Sequence, residues 1–305
     1  MILNIQNETS QLKSVVLGKP YLEKDISITS IYDAKSYVSV KENVYPLIKN
    51  IKREMSLFEN VLKKYNIEIY RPKYQEGCNL IFSRDVSFVI DDYIIISRMT
   101  KYREREQDSY IELYKKIPYN KIINLPPAAC IEGGDVILYN DIIFVGVYKG
   151  KDFDQIKTAR TNLCSLSYLK DLFPRKTIIP LELKKDDYNP HKGCLHLDCA
   201  FMPVNNNKAI LNKEAFKSKR DYHLILDIFG DKNIFHLTNN ESFNLQTNLL
   251  SISPNVVISD VNFSRLNNYL KEELGMIVET VPYSEISKTG GLFRCSILPL
   301  ERLDK

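Results

Sequence analysis

Near its end the sequence reads "TGGLFRCSILPL", with Gly290 and Gly291 leading through an apolar pair to Arg294 and Cys295. A thiolate is a nucleophile, and an adjacent positive charge lowers the pKa of a thiol. Cys295 is therefore a candidate nucleophile, against the alternative of a small buried apolar residue. Upstream, "LHLD" supplies His196 and Asp198. Imidazole is the usual acid/base partner of a thiol, and a spacing of two on a strand points both side chains one way. "FSRD" supplies Arg84 and Asp85, and "IEGGD" supplies Glu132 and Asp135. Asp85 sits among Ile81, Phe82, Val86 and Phe88, where an unpaired charge is costly. Cleaving a neutral amide needs no such set of carboxylates. A cationic substrate does, and the planar fork of a guanidinium matches two or more of them.

Each group lies on or beside what reads as the first strand of a repeated unit, or the closing strand of the chain. Four segments place two short β-rich runs around a turn, at Asp91-Asp92, Asn140-Asp141, Asn205 to Asn207 and Pro254-Asn255. Helix-like stretches follow: "REREQDSYIELYKKI", "NLCSLSYLKDLF", "KRDYHLILDIFG" and "FSRLNNYLKEEL". A further β run closes each unit: "KIINLP", "TIIPLEL", "NIFHLT" and "IVETVPY". The N-terminal part fits the scheme, with "LKSVVLG" and "IEIYRP" as strands around one long helix, "NVYPLIKNIKREMSLFENVLKKY". Five ββαβ modules of roughly fifty to sixty residues would close into a ring, helices outside, the first strands converging on a centre. A doubly wound sheet, with one strand per helix, fits the double strands less well. With no Gly-, Pro- or Ser-rich linker, residues 1–305 read as a single domain.

Composition removes other classes. The chain is 44% hydrophobic and 26% charged, with a net charge of +4 and no long basic run, so nucleic acid is not an expected partner. No apolar run approaches a membrane span, and no secretory signal is apparent at "MILNIQNETS". The six cysteines follow no disulfide-scaffold spacing, which points to reduced thiols and a cytoplasmic location. "GCLHLDC" groups Cys194, His196 and Cys199, but a fourth zinc ligand has no obvious source, so no metal and no other cofactor is expected.

Taken in order and spacing, "FSRD", "EGGD", "HLD" and "GGLFRCS" resemble the arginine deiminase and amidinotransferase superfamily of guanidino-modifying enzymes, which includes the dimethylarginine dimethylaminohydrolases. The resemblance runs from "ETSQLKSVVLG" to "CSILPL". It implies the pentein fold, a five-bladed α/β propeller of ββαβ modules with pseudo-fivefold symmetry. It implies Cys295 as nucleophile and His196 as general acid/base. Glu132 would hold a guanidino nitrogen or assist proton transfer, Asp85 and Asp198 would bind the guanidinium, and Asp135 would support the site. The inserted helical domain of the best-known arginine deiminases is missing, and "YKGKDFDQIKTARTN" is longer than the segment that usually carries a substrate-binding arginine. Arg160, Arg98 and Arg294 are the candidates to anchor a substrate carboxylate. The implied reaction is hydrolysis of arginine or a related guanidino compound through an S-alkylthiouronium intermediate, with transfer of the amidino group to an acceptor amine as the alternative. A ribosome-binding factor of the same architecture would need no such residue set, and a thiol peptidase would need no Asp85 or Asp198. The partner expected is a small guanidino molecule, with a homodimer left open.

Overall fold

The computed structural model describes residues 1–21 and 27–303. Its strands form five three-stranded sheets of one topology. Strands β1 (Gln11–Leu17) and β2 (Glu68–Tyr70) form the first sheet with the last strand of the chain. The second holds β3 (Ser87–Ile90), β4 (Tyr93–Ile96) and β5 (Ile122–Asn124). The third holds β6 (Val136–Tyr139), β7 (Ile142–Val147) and β8 (Thr177–Glu182). The fourth holds β9 (Phe201–Val204), β10 (Lys208–Leu211) and β11 (Ile234–His236). The fifth holds β12 (Leu250–Ser253), β13 (Val256–Asp260) and β14 (Ile277–Val281), and β15 (Ile297–Leu303) returns to the first sheet beside β1. In every sheet the first two strands in the module order are antiparallel and the third adds in parallel. The antiparallel pair needs only a tight turn, whereas the parallel addition needs a crossover, which is where the helices lie.

The turns explain the hairpins. Asp91, Asn140 and Asn205 take φ between 52° and 56°, the left-handed region that Asn and Asp enter most readily among residues with a side chain. The crossovers depart from the expected helices in three places. The stretch expected as one helix over residues 43–65 is α2 (Ile48–Lys64) alone, because Pro46 keeps the residue before it out of helical geometry and Asn43 has φ 57°. A separate α1 (Ala34–Lys41), capped by Asp33 onto the Ser36 amide, precedes it. In the second module, Glu104–Tyr110 is a 3-10 segment, and only α3 (Ile111–Tyr114) is α-helical. Residues three apart eclipse in a 3-10 helix, and the inward pair Arg103 and Glu106 has that spacing. The remaining crossovers are α4 (Cys164–Leu172) and α5 (Lys219–Phe229), as expected. Short α6 (Asn239–Phe243) follows β11. The last crossover is α7 (Ser264–Asn268) running into a π turn at Tyr269–Glu273, and short α8 (Ser284–Ser287) follows β14. No helix among the described residues is long and apolar enough to cross a membrane.

Amphipathic packing holds the helices on. Ile51, Met55, Phe58 and Leu62 make one buried stripe on α2, with Phe58 edge-on to Tyr283 and Phe293. The turn before β3 packs on the turn before β6, that turn packs on the one before β9, and β15 packs on β3.

The N-terminal segment laces across this arrangement. Asn4, Ile5 and Asn7 bridge to Glu301, Asp91 and Tyr139, on three different sheets or their turns. It ends by inserting Glu8, buried, between two arginines. Glu8 accepts from Arg294 Nη2 at 2.7 Å and lies 3.6 Å from Arg84 Nη2. Burial alone would raise the Glu8 carboxyl, but Arg294 and Arg84 win and hold it at about 2. A depressed folded-state pKa stabilises above the ordinary carboxylate value and is lost as pH falls through the folded one. Glu8→Gln is therefore expected to cost about 3 kcal/mol near neutral pH, judged from a shift of this size and from the usual cost of breaking a buried pair. The gap between variant and wild type should close from about pH 4.5 down to about 2. Chemical denaturation across that range checks it, and a constant gap would contradict the assignment.

Candidate active site

The residues expected on strands lie one step earlier. Ser83–Asp85, Gly133–Asp135 and Leu197–Cys199 are single 3-10 turns entering β3, β6 and β9. Turns at Thr247 and at Phe293 to Ser296 lead into β12 and β15. Each of the five modules thus delivers a polar side chain from the few residues before its first strand: Asp85, Asp135, Asp198, Asn248 and Cys295. Glu132 and His196 come from the residues that open their turns. Same-strand alternation therefore does not relate His196 to Asp198. Because His196 precedes a tight turn, its ring faces the second and third modules, while Asp198 faces the last.

His196 Nε2 bonds Glu132 Oε2 at 2.9 Å, and its Nδ1 lies 3.7 Å from Asp85 Oδ1. Burial opposes a charge on His196, but Asp85, the Glu132 hydrogen bond and Asp135 raise its pKa above the ordinary value. Glu132 has no free oxygen. Its Oε2 also takes Arg160 Nη1 at 2.8 Å, and its Oε1 accepts the Thr100 amide at 3.1 Å. Burial would raise Glu132, yet Arg160, His196 and Arg103 hold it well below the carboxylate range. It orients His196, which fits the part in proton transfer that the resemblance implies. Asp135 is structural. Its Oδ1 accepts the Leu197 amide at 2.9 Å and its Oδ2 accepts Thr161 Oγ1 at 2.7 Å, fixing the turn that carries Asp198.

Cys295 is buried. Its Sγ lies 3.5 Å from Asp198 Oδ2 and 3.1 Å from Asn248 Nδ2. The expectation that Arg294 lowers its pKa fails. Contact with the Cys199 thiol, then burial, then Asp198 push the Cys295 thiol well above its ordinary value. Arg294 turns away, to Glu8, to Asp198 Oδ2 at 2.8 Å and to the Val136 carbonyl at 2.7 Å. Gly290 and Gly291 are tightly enclosed. A Cβ on Gly290, at φ +98°, would strike Asp33 Oδ1 at 2.7 Å, and one on Gly291 would strike the Phe82 ring at 2.6 Å.

Of the three arginines expected to anchor a substrate carboxylate, two are engaged within the protein and the third lines a different cleft. Arg294 is engaged as described. Arg160 is buried and spends its donors on Glu132, the Lys157 carbonyl and the Tyr32 carbonyl. Arg98 is exposed, donates to the Pro127 carbonyl, and lines a separate surface cleft with Glu104 and Gln107. Sequence reasoning missed Arg103, which is buried and reaches Asp85 Oδ2 at 2.6 Å and both oxygens of Glu106 at 2.7 and 2.9 Å. Arg103 and Glu106, with Tyr32 and Asn79, line a cavity of about 340 Å³. The Tyr32 ring sits about equally far from the Arg103 and Arg160 guanidiniums, 5.5 and 5.6 Å from its centroid. Asn248 was legible in principle, as the residue before the first strand of the last hairpin, "LQTNLLSIS".

Ligand atoms of Asp85, Glu132 and His196 lie within 4.8 Å of one another, close enough to share a cation. Arg103 and Arg160 already bring two positive charges to these carboxylates, which disfavours a divalent ion there. The set offers a thiol, an imidazole held by a carboxylate, and two further acids. That is the equipment for nucleophilic attack and proton transfer on a cationic group.

A family model described as "N,N dimethylarginine dimethylhydrolase, eukaryotic" matches residues 33–302. The protein YkgA of Bacillus subtilis is 27% identical over 302 residues, covering 97% of this chain and 94% of its own. Arginine deiminase of Oenococcus oeni is 27% identical over 293 residues, covering 82% of this chain and 67% of its own. In fold, the chain is similar to the inosamine-phosphate amidinotransferase of Streptomyces griseus (TM-score 0.77, 16% identity, 99% of this chain and 97% of that one). It is also similar to AgrE, seen with ornithine and NAD+ (TM-score 0.76, 19% identity), covering 96% of this chain and spanning 40% of AgrE.

Gly134 offers a steric test of where a ligand sits. An added Cβ there would lie 2.7 Å from His196 Nδ1 and 2.9 Å from Asp85 Oδ1, at a backbone conformation that alanine tolerates. Gly134→Ala should lower turnover at least about 100-fold with a melting temperature only a few degrees lower, since small misplacements at a reacting centre cost that much. A variant of normal activity would place the ligand elsewhere.

Proposed function

The chain belongs to the N,N-dimethylarginine dimethylhydrolase family, among the guanidino-modifying enzymes, and from that premise we propose that it is a hydrolase of arginine or a closely related guanidino compound, working through a covalent intermediate on Cys295. We read its five modules as closing into a five-bladed propeller around the site, in a single domain. One observation carries the reading. Asp85 Oδ1 and His196 Nδ1 are buried side by side without hydrogen-bond partners. An unsatisfied buried acceptor is costly, and it favours a ligand that brings N–H donors and positive charge. Asp85 and Asp198 each spend Oδ2 on a buried arginine and keep Oδ1 toward other partners. Two such oxygens suit a planar guanidinium.

The chemistry follows from these positions. A cation between Asp85 and Asp198 offsets the negative field that keeps the Cys295 thiol protonated, so substrate arrival favours the thiolate, the thiol proton passing to solvent. The sulfur attacks the guanidinium carbon. His196, held charged by Asp85 and Glu132, gives its proton to the leaving nitrogen as the C–N bond breaks. An S-alkylthiouronium remains. His196, now neutral, takes a proton from water as the oxygen attacks the same carbon, and the C–S bond breaks to return the thiolate while the added hydroxyl loses its remaining proton to solvent, leaving a ureido product. From arginine the products are ammonia and citrulline, and from a methylated arginine an alkylamine and citrulline.

Incubation with arginine, methylated arginines and agmatine, with and without glycine, tests this. The expected result is citrulline, or carbamoylputrescine from agmatine, with release of ammonia or an alkylamine. Ornithine formed only with glycine would make the protein an amidinotransferase, and no turnover of any guanidino compound would refute the reading. Cys295→Ala should abolish turnover. Asp85→Asn and Asp198→Asn should each lower kcat/KM roughly 30 to several thousand-fold, the usual cost of a desolvated charge losing its partner. Each should also lower thermal stability, because each takes one of the charged partners from a buried arginine. Without substrate, iodoacetamide should label exposed Cys164 well before Cys295.

A further inference from the structure

Asn248 is fully buried, and its amide is oriented without ambiguity. Its Oδ1 accepts two backbone N–H groups of the nucleophile's own turn, from Leu292 at 3.2 Å and Cys295 at 3.1 Å. An amide oxygen that takes two N–H donors fixes the flip, so the NH2 end must point the other way. It points at Cys295 Sγ, 3.1 Å from Nδ2. The Asn248 carbonyl accepts the Arg294 amide at 3.3 Å, which ties the same turn a third time. The place in the fold matters as much. At the turns entering the first strands of the second, third and fourth modules stand Asp85, Asp135 and Asp198, and at this one stands their uncharged isostere. A carboxylate here would face the sulfur with a second negative charge beside Asp198. An amide faces it with a donor.

We propose that Asn248 is a catalytic residue: its Oδ1 clamps the turn that presents Cys295, and its Nδ2 stabilises the sulfur as an anion during attack and again when the sulfur leaves. This rests on Cys295 being the nucleophile. No covalent bond is made or broken by Asn248, and no proton leaves it. The amide N–H strengthens its bond as the thiol proton departs, since hydrogen bonds to charged groups exceed those to neutral ones. The other titratable groups facing the sulfur are Asp198 and Cys199 from the turn before β9, Asp85 from the turn before β3, and Tyr283. The carboxylates among them oppose the anion, which leaves Asn248 Nδ2 as the one side-chain N–H donor recorded on the sulfur among the described residues.

The test is Asn248→Asp in the full chain. It keeps an oxygen for the Leu292 and Cys295 amides and puts a carboxylate oxygen where the donor to sulfur stood, so Asn248→Ala, which removes the donor without adding charge, is its necessary companion. Alkylation of Cys295 by iodoacetamide, followed by mass spectrometry from pH 6 to 11, needs no substrate. The variant is expected to alkylate at least about 10-fold more slowly at each pH below the plateau, with the rising limb moved to higher pH. Turnover should fall about 10- to 100-fold or more, with the rising limb of kcat/KM moved the same way and the melting temperature within a few degrees of wild type. Asn248→Ala should slow alkylation as well, with a lower melting temperature because the clamp is also lost. Unchanged alkylation in both variants would reduce Asn248 to a clamp and overturn the proposal, whatever happens to turnover. If Cys295→Ala keeps its activity, the functional reading fails separately, because the alkylation comparison does not depend on any substrate.

Discussion

The site depends on one buried guanidinium. Arg294 joins Glu8 of the N-terminal segment, Asp198 before β9 and the Val136 carbonyl at the start of β6. It does so from the position next to Cys295, so three separate parts of the chain are pinned within one residue of the sulfur. A pair of this kind is weak evidence for stability, since desolvating two charges can cost as much as their attraction returns. Its value here is positional. An arginine fork with fixed partners sets the direction of the turn that carries the thiol, and packing alone does not set directions that tightly.

The same device recurs around the centre. Asp85 is held by Arg103, Glu132 by Arg160 and Asp198 by Arg294. Each arginine is held in turn from its far side, by Glu106, by the Tyr32 carbonyl and by Glu8. Acids that must meet a cation inside a protein would otherwise be neutralised by burial. A dedicated arginine supplies each with a counter-charge, and at Asp85 it leaves Oδ1 open. The arginines thus serve the acids, which is why neither Arg160 nor Arg294 is free to grip a substrate carboxylate.

Much of this was legible as a pattern of types. An acid, a histidine or a cysteine stands just before the first apolar run of each of four modules, and the turn residues Asp91, Asn140 and Asn205 mark the hairpins. Direction was not legible. Arg294 and Cys295 are neighbours in sequence, yet their side chains diverge, so adjacency suggested a low thiol pKa where the surroundings raise it. Strand alternation was carried one turn too far, because a 3-10 turn leaves the same alternation of apolar and polar residues as a strand end. Asn248 escaped because it carries no charge, although it sits at the repeating position. Arg103 and Glu8 escaped because their partners are set by how the chain packs and not by local spacing. Arg103 meets Asp85 across 18 residues and Glu8 meets Arg294 across 286.

That last separation bears on how the protein is made. During synthesis β1 emerges from the ribosome early, and the strand that covers its open edge, β15, comes some 280 residues later. Until then Glu8 has no Arg294, the Asp198 carboxylate has no counter-ion, and the first sheet has an unpaired edge of the kind that recruits other chains. Contacts this distant in sequence also form slowly once available. Arg294 and Cys295 are therefore the last of these site residues to be translated, and it is Arg294 whose arrival completes the charge balance. A nascent chain that has not reached them carries an unfinished site beside an open sheet edge.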